Sequence, residues 1–467
     1  MTGEVLVLHV DADAFYASVE QRQKPSTAAV PVIVCGLGPR GVVATASYQA
    51  RRFGVGSAMA TATAMRRCPQ GVYLAPRMPA YREHSAAIMA VLARFADVLE
   101  QVSIDEAYLQ VSPVNIAAEQ LAAEVTAAVW RATGLRVSVG AGRSKLVAKL
   151  ASTAAKPRGV RVVTGRQEQL FLDGLAVTAL PGVGPVAAVR LRELGIDTVA
   201  QLRAQPDRLL QRLLGSAGGR AAAAMARGRD PRLVTPAREV KTVSAERTMD
   251  YDIPASQLAP ALEGVLTAAY ARLTAARIGA RTVTVRLRDA QFTTIGRSVS
   301  LPQASTELGE LRGAAWTALR AATEAMGLDT DEESGAGARL LGVSLGALST
   351  TAQLALLPGE AAPISAVDPA GPPAADSRGD LPVVPGRRGG AWVPGADVEH
   401  TELGRGWVVR RVAATDSPSG QAEVAVRFEV AGSPTARQRR FTVGDPQLTA
   451  VTPAPVQPVV GPALSLP

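Results

Sequence analysis

Four acidic residues lie where mostly apolar segments of the sequence end. Asp11 and Asp13 directly follow residues 4–10, whose apolar side chains occupy both odd and even positions and so predict a buried central strand. Asp105 and Glu106 are adjacent and lie between two short apolar segments. Because neighbouring residues of a regular strand point to opposite faces, Asp105 and Glu106 can reach one point only if the chain bends there.

Carboxylates in this pattern suit phosphoryl-transfer chemistry. Acidic groups that lie close together repel one another, so they need a bound dication or a raised pKa. A pair of Mg²⁺ ions ~3.5–4 Å apart, clamping the attacking and leaving oxygens, would satisfy Asp11, Asp105 and Glu106. Other interpretations stay open at this point: Asp13 is equally well explained as the N-cap of the next helix, and an Asp-x-Asp strand end also suits a phosphatase or a nucleotide cyclase.

The periodicity around these acids predicts two split βαβ units. In the first we expect helices at 13–23, 81–99 and 116–133, and strands at 4–10, 101–111 (two strands with a bend), 135–141 and 160–164. In the second we expect strands at 240–249, 281–289, 292–300 and 339–348, with helices at 256–277 and 305–326. With residues 13–79 set aside as an insertion, both units have the element order of a ferredoxin-like fold, which gives an α+β multidomain chain.

Composition points to a polyanionic partner and excludes several classes of protein. The 467 residues carry 50 Lys and Arg against 41 Asp and Glu, a net charge of +9, and 45 of the 50 are Arg, whose forked side chain suits phosphate. A coding bias toward Arg explains the excess equally well. Two Cys and three His argue against a disulfide framework and a zinc site. We expect no membrane span and no secretory signal, and hence a cytoplasmic chain.

Two further segments favour nucleic-acid binding. Residues 180–185, Leu-Pro-Gly-Val-Gly-Pro, lie in a basic, helical segment in which eleven Lys or Arg oppose five Asp or Glu over 181–241. They resemble a helix-hairpin-helix, where Gly182 and Gly184 would let backbone N–H groups approach a phosphate. A glycine-rich helix connector is the alternative.

The second segment is a strand pair in the second split unit. Its outward positions carry Arg or hydroxyl side chains and can follow a DNA backbone without reading bases, although an ordinary solvated strand face is the alternative. These candidate DNA-binding residues are Thr282, Thr284, Arg286, Arg288 and Arg297.

Three ordered motifs together resemble the Y-family translesion DNA polymerases of the bacterial DNA polymerase IV type. They are Val-Asp-Ala-Asp-Ala-Phe-Tyr-Ala-Ser-Val-Glu at 10–20, Val-Ala-Thr-Ala-Ser-Tyr-Gln-Ala-Arg-Arg-Phe-Gly-Val at 43–55, and Ser-Ile-Asp-Glu-Ala-Tyr-Leu at 103–109. The resemblance implies a right-hand polymerase: a ferredoxin-like palm (1–12 and 80–168), small fingers (13–79), a helical thumb (169–238) and a ferredoxin-like little finger (239–350).

The resemblance also implies roles for individual residues. Asp11, Asp105 and Glu106 would be the catalytic, metal-binding carboxylates for two Mg²⁺ ions, and the carbonyl of Ala12 an extra metal ligand. The residues expected to bind the incoming nucleotide are Tyr16, Thr45, Tyr48, Arg51 and Lys156. Among these, Tyr16 falls at the steric gate against a 2′-hydroxyl, although ordinary packing is the alternative from its position alone.

The C-terminal part of the sequence predicts a docking motif, a linker and a small module. Within 351–358, the pentapeptide with Gln353, Leu354, Leu356 and Leu357 resembles a bacterial sliding-clamp-binding motif. Residues 359–395 are rich in Pro, Gly and Ala and predict a flexible linker. Alternation over 396–446 predicts a small β-barrel, and this region resembles the SH3-like modules of DNA-handling enzymes. Residues 447–467 are expected to be a disordered tail.

We therefore expect a monomeric, low-fidelity DNA polymerase that extends primers past lesions, with primer–template DNA, deoxynucleoside triphosphates and the sliding clamp as partners. The alternative is a catalytically inactive DNA-binding scaffold on the same fold.

Overall fold

The N-terminal unit is built on a five-stranded sheet. The computed structural model describes residues 5–112, 117–165, 167–236, 240–328, 337–350, 364–367 (as backbone), 392–417, 419–429 and 437–459. The elements of this unit are β1 (Leu6–Ala12), α1 (Phe15–Gln23), β2 (Val32–Cys35), β3 (Val43–Ala46), α2 (Tyr48–Arg51), α3 (Thr61–Arg67), β4 (Val72–Leu74), α4 (Met78–Leu92), β5 (Val98–Gln101), β6 (Glu106–Val111), α5 (Ala118–Thr133), β7 (Val137–Gly142), α6 (Lys145–Ala155) and β8 (Val160–Val162).

The central sheet has the strand order β5-β6-β1-β7-β8, and β1 runs antiparallel to both of its neighbours. Leaving out β8, this is the ferredoxin-like order that we predicted for the first unit. Leu8, Val10 and Ala12 of β1 pack into the core with α4 and α5. The alternate residues, among them Asp11, therefore lie on the opposite face of the sheet, where α6 packs.

Two details of this unit differ from expectation. The helix predicted over 81–99 ends at Leu92, and Val98 already begins β5. The inserted segment 13–79 forms its own small sheet in the order β3-β2-β4, whose core contains the buried, unpaired thiols of Cys35 and Cys68. Gly134 ends α5 with a φ of 68°, the left-handed conformation expected at that position.

A helical unit and a second sheet follow. The helices are α7 (Gln167–Asp173), α8 (Pro185–Arg192), α9 (Val199–Arg203), α10 (Asp207–Leu214) and α11 (Ser216–Ala226). The second sheet unit contains β9 (Thr242–Ile253), α12 (Leu258–Ala275), β10 (Gly279–Arg288), β11 (Thr294–Ser305), α13 (Leu308–Met326), β12 (Ala338–Ser349) and β13 (Ile364–Val367).

The strand order of the second sheet corrects the ferredoxin-like expectation. The order is β13-β11-β10-β12-β9, so the first strand of the unit lies beside the last one, at the edge, and not in the centre. Inward-facing apolar positions are the same for either order, so the hydrophobic pattern could not separate the two. In addition, β13 lies inside the segment predicted to be a linker and pairs with β11.

The C-terminal module, residues 392–459, is larger than predicted. Its strands are β14 (Asp397–His400), β15 (Gly404–Val412), β16 (Glu423–Phe428), β17 (Arg437–Thr442) and β18 (Leu448–Ala450). They form one antiparallel sheet in the order β17-β16-β15-β14-β18, and within the described residues no ladder between β17 and β18 closes it into a barrel.

The predicted tail also needs correction, because β18 pairs with β14 and the chain beyond it is anchored to the N-terminal unit. The N–H of Val459 donates to the carbonyl of Arg131 at 2.8 Å, and Gln23 donates its side-chain amide to the carbonyl of Ala454 at 2.8 Å. Such bonds to backbone carbonyls leave no apolar periodicity in the sequence, so the composition of the segment indicated disorder; residues 460–467 of the predicted tail lie outside the described residues. Among the described residues, no helix is both long and apolar enough to cross a membrane.

Candidate active site

The backbone brings three acidic residues together at the end of β1. Asp11 is the direct partner of Glu106 in the antiparallel ladder between β1 and β6. The N–H of Ala12 donates to the carbonyl of Asp105 at 3.0 Å, which brings the bend between β5 and β6 beside the end of β1. The predicted meeting of the two distant motifs is thus present in the backbone itself.

Ser103 shapes the bend that presents Asp105 and Glu106. Its hydroxyl donates to Asp105 Oδ1 at 2.6 Å and accepts from the N–H of Glu106 at 3.0 Å. Asp and Glu are unfavourable residues for a tight turn. The Ser103 hydroxyl stabilises this bend through its bonds to the Asp105 carboxylate and the Glu106 N–H. Ser103 lies in the motif at 103–109, but this role of its hydroxyl in shaping the bend was not predicted.

Lysines neutralise two of the carboxylates. Lys156 Nζ lies 2.6 Å from Asp11 Oδ2, and Lys149 Nζ lies 2.7 Å from Glu106 Oε2. Lys156 was expected near the triphosphate, and Lys149 was not predicted; because α6 also carries Lys145, the sequence held no signal that singled Lys149 out. As they stand, no three His, Cys, Asp or Glu side chains of the described residues are gathered closely enough to hold a metal ion.

Burial and mutual repulsion set the charge of the acids. Burial raises the pKa of Asp11 to about 7: Lys156 opposes this shift, and Glu106 and Asp105 add to it. Burial also raises the pKa of Asp105, against its bond from Ser103. This donor set, with buried oxygens whose pKa rises in part because they repel one another, fits a divalent cation.

Glu106 differs because its polar neighbours outweigh the effect of burial on its pKa. Burial would raise the pKa of Glu106, but His9 and Lys149 outweigh it and hold the pKa well below its usual range. Burial lowers the pKa of His9 itself to about 4, so the imidazole is neutral at pH 7 and Lys149 supplies the positive charge. His9 Nε2 lies 3.8 Å from Glu106 Oε2, beyond hydrogen-bond distance.

Asp13 has a different role from the one proposed for it as an N-cap. The N-cap position of α1 is Ala14, with a φ of 47°, and no side chain caps the helix. The carboxylate of Asp13 instead accepts from the Ser138 hydroxyl at 3.0 Å, the Tyr48 hydroxyl at 3.1 Å and the N–H of Arg158 at 2.8 Å. Asp13 therefore ties β1 to β7, to α2 and to the loop that carries Lys156.

Two residues expected to contact a triphosphate lie on α2, and one of them, Tyr48, bonds to this carboxylate. Tyr48 begins α2, whose N-cap Ser47 accepts from the N–H of Ala50. The guanidinium carbon of Arg51 lies 4.6 Å from the centre of the Tyr48 ring, and its Nε donates to the carbonyl of Ala46 at 3.0 Å. Burial, with a contribution from Asp13, raises the pKa of Tyr48 to about 12, so its hydroxyl keeps its proton.

Two other nucleotide candidates lie on neighbouring elements. Tyr16, in the first turn of α1, stacks on Tyr81 of α4 with ring centroids 4.3 Å apart and planes 12° apart. Tyr81, which the sequence reasoning did not single out, is fully buried. Thr45 is half-buried on β3 and pairs with Val34.

Four of the five candidate DNA-binding residues of the second sheet share one face. Val283, Val285 and Leu287 are fully buried against α12 and α13. The alternate residues of β10 are half-buried, and hydroxyls pair across to β11, with Thr284 Oγ1 2.7 Å from Ser298 Oγ and Thr282 Oγ1 3.2 Å from Ser300 Oγ.

Two arginines continue this row of polar side chains. Arg288 Nε donates to Thr294 Oγ1 at 2.8 Å. Arg297, predicted to belong to this face, lies on the other one, because it is the ladder partner of the buried Val285. Arg286, on β10, is half-buried. Hydroxyl and guanidinium groups therefore cover the sheet face that the two helices leave open.

The glycine-rich segment forms a tight connection before α8. Gly182 has a φ of 86°, which side chains disfavour, and Gly184 occupies the N-cap of α8 with Pro185 at the first helical position. A Cβ at Gly182 or Gly184 would meet no atom within 4 Å, so both backbones are accessible. The clamp-motif residues Gln353, Leu354, Leu356 and Leu357 lie outside the described residues.

Comparisons with known proteins identify the family. The model of the impB/mucB/samB family matches residues 10–153, and that of its C-terminal domain matches residues 240–356. DNA polymerase IV of Streptomyces coelicolor is 39% identical over 456 residues, which are 96% of this chain and 91% of that protein. DNA polymerase IV of Halorhodospira halophila is 40% identical over 73% of this chain and 95% of its own length.

Comparison with solved structures indicates the same family. A Y-family DNA polymerase chimera of Dbh and Dpo4 superposes with a TM-score of 0.66 at 27% identity, covering 73% of this chain and 98% of its own. An insertion ternary complex of Dbh DNA polymerase, with the same identity and coverage, gives a TM-score of 0.54. The chain therefore belongs to the Y-family DNA polymerases of the DNA polymerase IV type and is a DNA-directed DNA polymerase.

Proposed function

We propose that this polymerase carries out low-fidelity, template-directed synthesis past DNA lesions, in DNA repair and damage tolerance. In this reaction the primer 3′-hydroxyl attacks the α-phosphate of a deoxynucleoside triphosphate, and pyrophosphate leaves. The observation that supports it most directly is the pairing of Asp11 with Glu106 beside the backbone bond from Ala12 to Asp105.

We assign the carboxylates of Asp11, Asp105 and Glu106, with the carbonyl of Ala12, as the ligands of two Mg²⁺ ions. When bound, such ions lower the pKa of the attacking hydroxyl and neutralise charge on the triphosphate. Asp11 pairs with Lys156 and Glu106 pairs with Lys149, so lysines of the site balance the charges of these two acids.

The nucleotide would be held by side chains around Asp13. Tyr48 supplies one hydroxyl donor, Arg51 a bidentate fork and Lys156 a point charge for the triphosphate. Tyr16, backed by Tyr81, would lie under the sugar and collide with a 2′-hydroxyl. Thr45 and the small side chains beside it would roof the base pair loosely, leaving room for damaged bases.

The remaining units would grip the duplex. We infer that the central sheet is the palm, the segment 13–79 the fingers, the helices of 169–238 the thumb and the sheet of 239–350 the little finger. The exposed backbone at Gly182 and Gly184, and the face with Thr282, Arg286 and Arg288, would contact phosphates without reading sequence. We further propose a monomeric, cytoplasmic enzyme that engages the sliding clamp through the motif at 351–358.

Primer extension with purified protein tests this proposal. With Mg²⁺ and all four deoxynucleotides, we expect extension of a primer on an undamaged template and past an abasic site. Binding of primer–template without any extension would support the inactive scaffold. Triphosphate turnover that needs no primer–template would support phosphatase or cyclase chemistry.

A further inference from the structure

The C-terminal module contacts the N-terminal unit through a buried surface. Trp407, on β15, is only 4% exposed and packs into one apolar cluster with Ala17, Val32 and Leu74. Its indole N–H donates to Glu429, whose carboxylate also accepts from the N–H of Ser26 at 2.9 Å. The module is therefore packed onto the segment that carries α1 and β4.

A cluster of four charges lies beneath this interface. Glu20 of α1 is fully buried, and Lys24 and Arg77 are 1% and 8% exposed. Lys24 Nζ is 2.5 Å from Glu20 Oε2, and Arg77 donates from Nε to Glu20 Oε1 and from Nη2 to Glu20 Oε2, each at 2.9 Å. The N-terminal unit therefore contributes three of the four charges, namely two cations and one carboxylate.

Asp397, the first residue of β14, supplies the missing negative charge. Its carboxylate pairs with Arg77 Nη1, on the opposite side of the guanidinium from Glu20. The cluster then holds two cations and two carboxylates, which is the condition under which buried charges are tolerated. Burial would lower the pKa of Arg77, but Glu20 and Asp397 outweigh it and raise that pKa.

The same cluster reaches the nucleotide site through a tyrosine. The hydroxyl of Tyr81 donates to Glu20 Oε1 at 2.7 Å, and the Tyr81 ring is the one on which Tyr16 stacks. Direct contacts thus run from Asp397 to Arg77, Glu20, Tyr81 and finally Tyr16.

We propose that Asp397 is a positioning residue for sugar selection: through Arg77 and Glu20 it holds Tyr81 in place behind the Tyr16 ring. The proposal rests on the steric-gate role proposed above for Tyr16. Loss of the Asp397 charge leaves a buried excess of positive charge, which draws Arg77 toward solvent and loosens its hold on Glu20. The Tyr81 ring, and with it Tyr16, then has more freedom to yield to a 2′-hydroxyl.

The test compares kcat/KM for a deoxynucleotide with that for the matching ribonucleotide, in full-length protein. Asp397→Asn is expected to lower this ratio severalfold, and by less than Tyr16→Ala does. Glu399→Gln is the matched control, because Glu399 is an exposed acid on the same strand. It is expected to keep the wild-type ratio. Mere loss of folded protein lowers both rates equally and leaves the ratio unchanged.

The double variant Tyr16→Ala/Asp397→Asn completes the experiment. Its ratio is expected to equal that of Tyr16→Ala, since Asp397 acts only through the ring that has been removed. If Asp397→Asn does not fold, Tyr81→Phe keeps the ring, removes the bond to Glu20 and is expected to lower the ratio in the same way.

Each other outcome contradicts either the positioning role of Asp397 or the steric-gate role of Tyr16. An unchanged ratio in folded Asp397→Asn, or a further drop in the double variant, overturns the positioning role alone while the gate stands. An unchanged ratio in Tyr16→Ala removes the steric gate, and the positioning role of Asp397 falls with it.

Discussion

Two of the three acids at the end of β1 are balanced by lysines that lie within the same site. Lys156 neutralises Asp11 and Lys149 neutralises Glu106, at 2.6 and 2.7 Å. Each lysine can therefore release its carboxylate when a stronger cation binds. For Lys156 this release would free a positive charge beside the place proposed for the triphosphate.

Lys156→Ala is expected to weaken nucleotide binding and leave DNA binding unchanged. A charge-assisted hydrogen bond contributes about 1.5–3 kcal/mol, so the KM for the deoxynucleotide should rise at least about tenfold. Steady-state kinetics together with the Kd for primer–template separate the two effects. An unchanged KM would mean that Lys156 serves Asp11 alone.

At this scale the sequence predicted which acidic residues come together, but it did not predict the contacts of their neighbours. The motif spacing predicted that Asp11 and the pair Asp105–Glu106 would meet, and the ladder of β1 and β6 places them together. The bonds of Asp13 to Ser138 and Arg158 join residues far apart in the chain. Such contacts follow from tertiary packing, which local helix-capping rules do not describe.

At the scale of elements, α1, α4 and β14 are joined by buried charge. Burial would raise the pKa of Glu20, but Lys24 and Arg77 outweigh it and lower the pKa to about 2. Tyr81, Asp397 and the buried His84, which also interacts with Arg77, are further titratable groups around the cluster.

This cluster gives stability a defined pH dependence. The folded-state pKa of Glu20, about 2, lies below its ordinary value of 4.5, so its contribution is complete above about pH 4.5 and is lost as the pH falls toward 2. Glu20→Gln is expected to cost roughly 3–5 kcal/mol at pH 7, because two buried cations lose their partner. Urea unfolding at several pH values checks this prediction. The difference in free energy of unfolding between wild type and Glu20→Gln should narrow as the pH falls through that window. A difference that does not depend on pH would contradict the prediction.

The polar face of β10 and β11 carries a second prediction. Arg286→Ala is expected to weaken DNA binding equally for all sequences and to reduce the slope of log Kd against log salt by about 1. Arg320→Ala is the matched control, because Arg320 is exposed on α13, the helix that covers the buried face of the same sheet. Equal salt slopes for both variants would remove this face from the DNA-binding surface.

Element positions were more predictable than strand order. Alternation identified Val283, Val285 and Leu287 as the inward face, and all three are buried. The same alternation fits any order of strands, which is why the position of β9 at the edge of its sheet was missed.

At the scale of the whole molecule, the C-terminal module is part of the N-terminal structure. Trp407→Ala is expected to cost about 3–5 kcal/mol, since its ring packs against β2 and β4. Hydrogen exchange should therefore accelerate at Val32 and Leu74. Trp316→Ala is the control, because that indole is 36% exposed on α13. Unchanged exchange at β2 and β4 would mean that the module folds independently.

The docking of this module was not predictable from the sequence. The alternation over 396–446 predicted strands correctly. A periodic pattern, however, does not indicate the surface against which a sheet packs. The pairing of Asp397 with Arg77 joins positions that are 320 residues apart. A Pro- and Ala-rich composition after β18 also concealed the backbone bonds that fasten residues 454–459.

Primer extension by Asp105→Ala, measured beside its affinity for primer–template DNA, tests the central claim most directly. If Asp105 works with Asp11 and Glu106 on bound Mg²⁺, extension should fall at least about a hundredfold, since charge stabilisation by such a site contributes several kcal/mol. The Kd for DNA should stay near the wild-type value. Extension at the wild-type rate, or loss of DNA binding with loss of extension, would contradict a catalytic role for the carboxylates at the end of β1.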